Sequence, residues 1–349
     1  MPLLLTCLIP FKGSCEAGKK PWQPWRVQQR ETSSDMPTTP STESEIPLLE
    51  KGCVSSAEKL ADYWALTKPD VNLLILITTF AGFWLARPMR WHNFPFLLAF
   101  HTLLGTLLVA GGTAALNQFV ERRFDAQMRR TKRRPLAAGR VDAAHALLFG
   151  LLLTVAGVLY LAAMTNLLAG LVAIATSLTY LMAYTPLKRK TPWCTLVGAF
   201  SGATAPLIGW AAASGQLNEQ AWMLYGIVFL WQFPHFMAIA WMYRQDYERA
   251  GYLVLPHGER RNQVMVYQAV LPALSLIVLS LVPTLQGSAG RTYTIGAEIF
   301  SACLLYYAAR LAFQRTNVVA RRLLLISILY LPALFALMVL DKAVDEGWR

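Results

Sequence analysis

The sequence predicts an all-α protein, a polytopic membrane helix bundle of about nine transmembrane helices. Three observations carry that expectation. Of the 349 residues, 55% are hydrophobic and only 15% charged, and the mean hydropathy is +0.38. Apolar stretches long enough to span a bilayer, about 20 residues each, recur from Val71 to Leu340. The lysines and arginines behind the net charge of +12 fall mainly in alternate loops. In a soluble chain that charge would suggest nucleic acid. Here the positive-inside rule accounts for it, with the N-terminus cytoplasmic and the C-terminus outside, and no nucleic-acid signature is present.

Residues 1–56 are rich in Pro, Ser, Thr, Glu and Lys, show no apolar periodicity, and read as a disordered cytoplasmic N-terminal tail. The opening L-L-L-T-C-L-I is cut by Pro10 and lacks a basic start, which argues against a signal peptide. Lys19, Lys20, Arg26 and Arg30 leave a transit peptide open, and Met36 is an alternative start. Cys7, Cys15, Cys53, Cys194 and Cys303 have no C-x-x-C spacing, so neither a disulfide framework nor a zinc site is expected. The membrane domain is 57–341, followed by a short C-terminal tail, 342–349.

Residues 57–66 read as a short interfacial helix with Leu60, Tyr63 and Trp64 toward lipid. The spans then run 71–87, 96–119, 143–163, 166–184, 194–213, 221–243, 264–284, 293–312 and 322–340. Gly105, Gly111 and Gly112 in the second allow close helix contact. His101 lies sixteen residues before Asn117, roughly 24 Å along a helix, and so near the opposite face. Spans three and four form a tight hairpin around 163–166. Span five, with Gly198, Gly202 and Gly209, reads as a buried helix that Pro206 kinks. Span six places His235 in the membrane and Asp246 at its cytoplasmic end. If that helix is regular, the eleven-residue separation puts both on one face. Acidic ends thus occur twice, four spans apart, as a weak repeat of two four-helix halves. In the last three spans Pro272, Pro283 and Pro332 are expected to kink the helices, and Glu298 sits near an outer end.

Asn117 to Pro135, N-Q-F-V-E-R-R-F-D-A-Q-M-R-R-T-K-R-R-P, is the richest segment. Asn117, Glu121 and Asp125 fall at i, i+4 and i+8, on one face of a continued helix. An amide and two carboxylates at a membrane boundary suit a hard cation such as Mg²⁺, which keeps waters and recruits substrate phosphates. Arg129, Arg130, Lys132, Arg133 and Arg134 follow at once, which points to a metal diphosphate. The alternative is a loop of solvated charges. The turn Y-T-P-L-K-R-K-T-P at 184–192 brings three more cations to the same side, or serves only topology. His235 is either an interhelical hydrogen-bond partner or a functional imidazole.

The first of these segments resembles the first acidic motif of the UbiA-type intramembrane prenyltransferases, specifically of their haem-farnesylating branch. L-T-K-P at 66–69, Y-T-P-L-K-R-K-T-P leading into G-A-T-A-P-L-I-G-W at 202–210, and W-Q-F-P-H-F through D-Y-E-R-A-G-Y-L-V-L-P at 231–256 agree with it. The resemblance covers residues 60–341. Departures are Glu121 where Asp is common, Asp70 for a more usual Arg, Cys194 for Asn, and Ala250 four residues after Asp246 in place of a second acid.

The resemblance implies a Mg²⁺-dependent transfer of a farnesyl group from farnesyl diphosphate to the vinyl group of haem B, giving haem O. It implies that Asn117, Glu121 and Asp125 hold metal, with Asp246 a further ligand. Arg130, Arg134, Lys188, Arg189 and Arg244 would neutralise the leaving diphosphate, and His235 would meet the haem as iron ligand or hydrogen-bond donor. The implied setting is a bacterial inner (plasma) membrane with a cytoplasmic active site, or a mitochondrial inner membrane, with a haem A synthase downstream. Two rivals remain: a relative acting on a quinone or chlorophyll precursor, and a secondary transporter. The nearly charge-free midplane argues against transport.

Overall fold

The computed structural model describes residues 55–86, 93–256 and 258–347. The tail through Val54, with Cys7, Cys15, Cys53 and Met36, and the loop arginines Arg87 and Arg90 lie outside the described residues. Every regular element described is helical. Among the described residues, eight helical spans are long and apolar enough to cross a membrane, and a ninth apolar helix, Pro69–Leu85, has 17 residues. The chain is an integral membrane protein.

Helix α1 (Ser56–Leu66) precedes α2 (Pro69–Leu85), α3 (Phe96–Asp125), α4 (Ala143–Met164) and α5 (Leu167–Leu178). Next come α6 (Cys194–Gly202), α7 (Ala205–Ser214), α8 (Glu219–Met242) and the short α9 (Arg244–Arg249). The last four are α10 (Glu259–Met265), α11 (Leu271–Leu285), α12 (Arg291–Gln314) and α13 (Asn317–Gly347). Chain neighbours pack against one another, and α13 returns to pack on α2. Local chemistry starts several of these helices. The side chains of Asp142, Asn166 and Asn218 each accept backbone N–H groups in the first turns of α4, α5 and α8.

Prolines explain the irregularities. α6 and α7 are two pieces of one span, broken at Ala203 and Thr204 just before Pro206, as expected from the sequence. A π-helical turn at Thr179–Tyr184 leads into Pro186, and another at Val266–Val270 leads into Pro272. A proline ring offers no N–H and displaces the carbonyl four residues before it, so the ladder widens there. Pro283 and Pro332, by contrast, are absorbed inside their helices.

Burial follows the expected division between scaffold and centre. Most of the α6–α7 span is buried, whereas little of α4 is, and its Leu148, Leu152 and Leu159 are exposed where lipid would lie. The central span can sit so close to α2 because glycines face backbone. A methyl group at Gly82 would collide with the Pro206 carbonyl, and one at Gly209 with the Thr79 carbonyl. Gly105 and Gly112 likewise face Leu161 and Gly150 across the α3–α4 contact. His101 bonds Tyr160 at 2.6 Å through Nδ1.

Two details differ from the sequence expectation, and the helix continuation it assumed after 119 is present. In α1, Leu60 and Trp64 are exposed, but the Tyr63 ring packs edge-on against Phe149 at 5.1 Å instead of facing lipid. α3 runs six residues past 119, to Asp125, so the acidic positions are helical throughout. The last helix continues to Gly347, beyond the 341 boundary.

Candidate active site

The acidic face of α3 is buried. Asn117, Glu121 and Asp125 are 1%, 6% and 2% exposed, on consecutive turns as their spacing requires. A buried carboxylate is costly unless paired; Glu121 and Asp125 each find a cation, and the Asn117 amide oxygen meets a third. Lys68 Nζ donates to Asn117 Oδ1 at 3.1 Å. Lys188 Nζ lies 2.6 Å from Glu121 Oε1, and Arg134 Nη1 lies 2.7 Å from Asp125 Oδ2. Asn117 Nδ2 in turn donates to Thr185 Oγ1 at 3.2 Å, and that hydroxyl donates to the Tyr180 carbonyl.

The positions of these cations have local causes. Lys68 sits between α1 and α2, directly before Pro69, with φ 53 and ψ 60. This left-handed conformation is strained for a lysine, and it accompanies the bond to Asn117. Burial, with Arg134 nearby, pushes the Lys68 ammonium down to about 7. Lys188 follows the Pro186 turn and lies 4.4 Å above the Tyr184 ring. Burial opposes its charge, but the Glu121 carboxylate prevails and raises it well above the ordinary lysine value. Arg134 is held within reach by a turn in which Thr131 Oγ1 donates to the Asp125 carbonyl.

Asp246 opens a second part of the site on α9. Its Oδ2 accepts the Arg130 backbone N–H at 3.3 Å, and Arg249 Nη1 lies 3.5 Å from Oδ1. The Arg130 guanidinium stacks 4.8 Å from the Tyr243 ring, and that of Arg189 4.4 Å from Phe124. Arg129, Arg130, Met242, Tyr243, Gln245 and Asp246 line an open cleft. The two parts are fastened by backbone, since Leu253 N–H donates to the Lys188 carbonyl at 2.8 Å.

Arg130, Arg134, Lys188 and Arg189 thus gather around the acidic face or the cleft beside it. Arg244 does not. It stacks on Trp241 and donates to the Trp241 carbonyl and to Asn317 Oδ1 at 2.8 Å, toward the start of α13. His235 is half-buried, bonds Ser327 Oγ through Nδ1 at 2.8 Å and stacks on Trp231 at 4.9 Å. A shared face for His235 and Asp246 required a regular helix. The structure interrupts it at Tyr243, φ −108, where α8 ends and α9 begins. Lys68, Thr185 and Tyr252 were not singled out from the sequence, although the lysine of L-T-K-P, just before a proline at the head of a span, was a usable signal.

Among the described residues no three His, Cys, Asp or Glu side chains converge on one point. That does not exclude Mg²⁺ from the acidic face, because Mg²⁺ is held by one or two carboxylates plus substrate phosphates and water, not by an all-protein cage. Asn117, Glu121 and Asp125 supply such a set, all oxygen donors on one helix face. The cations now on them are groups that phosphate oxygens would attract.

Comparison with known proteins identifies the family. Residues 75–335 match the model of the UbiA prenyltransferase family. The protoheme IX farnesyltransferase of Solibacter usitatus is 46% identical over 81% of this chain and 99% of its own length. That of Koribacter versatilis is 42% identical over 82% and 95%. Among solved structures, one of digeranylgeranylglyceryl phosphate synthase superposes with a TM-score of 0.67 at 16% identity, covering 82% of this chain and 99% of that one. A UbiA homolog from Archaeoglobus fulgidus bound to GPP and Mg²⁺ gives 0.56 at 16% identity, covering 79% and 99%. With the family model spanning seven of the nine segments in full, and relatives matched nearly end to end, the chain belongs to the UbiA prenyltransferase family.

Proposed function

We propose that the chain transfers a farnesyl group from farnesyl diphosphate to the vinyl group of haem B, giving haem O. The observation that carries this reading is the 46% identity to the Solibacter usitatus protoheme IX farnesyltransferase over 99% of that protein's length. The acid–cation cluster supports the same reading from the chemistry of its residues.

Asn117, Glu121 and Asp125 would hold Mg²⁺ against the diphosphate, with Asp246 available at the neighbouring cleft. When bound, the ion supplies charge stabilisation for the departing diphosphate. The rest falls to the chain. Lys188, Arg134, Arg130 and Arg189 bind the diphosphate oxygens as the allylic C–O bond breaks and its electron pair stays with the leaving group. Arg244 joins them only by giving up Trp241 and Asn317. The apolar bundle excludes water from the allylic cation. The vinyl π electrons of haem B then form the new C–C bond. Water captures the resulting cation and releases a proton, leaving the hydroxyethylfarnesyl chain of haem O. His235 would border the haem, and a haem A synthase is the downstream consumer this reading implies. The cationic loops at 129–134 and 188–190 support a cytoplasmic active site in a bacterial plasma membrane.

The test is pigment extraction and mass analysis from membranes expressing the chain. Haem O is expected, absent from membranes of an Asp125→Ala variant. Unmodified haem beside a newly prenylated quinone would move the function to the rival acceptor.

A further inference from the structure

Among the described residues, Tyr252 holds a buried hydroxyl beside the acidic face that completes no well-formed hydrogen bond. The residue is 5% exposed, and its ring is fixed against Phe124 at 5.9 Å and Tyr247 at 6.0 Å. Its hydroxyl is sealed from solvent and lies at the edge of reach of the Glu121 carboxylate, without completing a well-formed hydrogen bond. It faces the Glu121 carboxylate, with Lys188 and Asp125 also near. A buried donor without a complete hydrogen bond is costly, and such a group asks for an explanation. Its backbone supplies one. Tyr252 N–H donates to the Tyr247 carbonyl, and the next residue, Leu253, donates to the carbonyl of Lys188. The loop bearing Tyr252 is therefore tied to the lysine now occupying Glu121 at 2.6 Å.

We propose that Tyr252 is a positioning residue for Glu121: when a diphosphate draws Lys188 away, the Tyr252 hydroxyl takes its place on the Glu121 carboxylate and holds it in the orientation that meets Mg²⁺. The inference rests on the assignment of the acidic face to a metal diphosphate. The Lys188–Glu121 pair is then the resting arrangement of an exchange. Lys188 moves to the ligand, the Tyr252 hydroxyl closes fully onto Glu121, and the carboxylate is not left without a donor. A hydrogen bond behind a metal-ligating carboxylate fixes its direction, and losing one costs about 10–100-fold in metal affinity.

The experiment is a Mg²⁺ titration of the purified full chain in detergent, following binding of a non-hydrolysable farnesyl diphosphate analogue. Tyr252→Phe keeps the ring contacts and removes only the hydroxyl. It is expected to raise the Mg²⁺ concentration for half-maximal binding by about tenfold, with haem binding and Tm unchanged. In a Glu121→Gln background the same substitution is expected to shift nothing further. An unchanged Mg²⁺ requirement in Tyr252→Phe, an equal shift in both backgrounds, or a parallel loss of haem binding would each overturn the assignment. If the wild-type chain itself shows no Mg²⁺-dependent analogue binding, the metal-diphosphate reading fails instead.

Discussion

Replacing Lys188 with Met separates the structural from the functional work of the acid–cation cluster. Met keeps most of the length of the side chain and removes the charge. It strands Glu121, whose side chain is 8% exposed and whose bond to Lys188 is 2.6 Å. Breaking a buried pair from one side costs about 3–5 kcal/mol. The lower figure applies here, because Lys68 and Arg134 still face Glu121. At roughly 2–4 °C per kcal/mol, Tm in detergent should fall by roughly 6–12 °C. The double variant Lys188→Met/Glu121→Gln leaves no unpaired charge, and its Tm should return to within a few degrees of wild type. Binding should not return, because a charge-assisted bond of about 1.5–3 kcal/mol to the diphosphate is lost in both. That corresponds to about 10–100-fold weaker analogue binding. The assays are differential scanning fluorimetry and analogue titration on the three proteins. A Lys188→Met protein melting within a degree of wild type, or a double variant less stable than the single one, would refute the reasoning.

Asp125→Ala removes a carboxylate and releases Arg134, itself 25% exposed and free to reach water. Membrane insertion should survive while transfer falls below detection, and substantial activity at limiting Mg²⁺ would contradict this. His235→Ala takes away the bond to Ser327 and the stack on Trp231. Haem titration should weaken while the diphosphate analogue binds as before, and the reverse pattern would move His235 out of the acceptor pocket. Gly209→Ala drives a methyl group into the Thr79 carbonyl at the α2–α7 crossing. The expected loss of about 1–3 kcal/mol should show as a lower Tm on purified protein, and an unchanged Tm would mean that the two helices separate freely.

Hydropathy and helical period are properties of the chain itself, so the apolar helices, most of their ends to within a few residues and the i, i+4, i+8 register of Asn117, Glu121 and Asp125 could be read without coordinates. Proline told where the central span breaks, because its ring acts on its own backbone. What pairs with what could not be read that way. Lys68 reaches Asn117 across 49 residues, and Lys188 reaches Glu121 across 67. Many cations lie in those loops, and nothing local distinguishes the two that are folded inward from Arg244, which turns out toward Asn317. Nor does helical period survive Tyr243, where a change of backbone direction separates His235 from Asp246. Those choices belong to the tertiary structure, because each carboxylate had to be buried beside an opposite charge and only the closing of distant loops decides which charge can arrive. The approach of the Tyr252 hydroxyl to Glu121 belongs there too, since it exists only once distant neighbours have been placed.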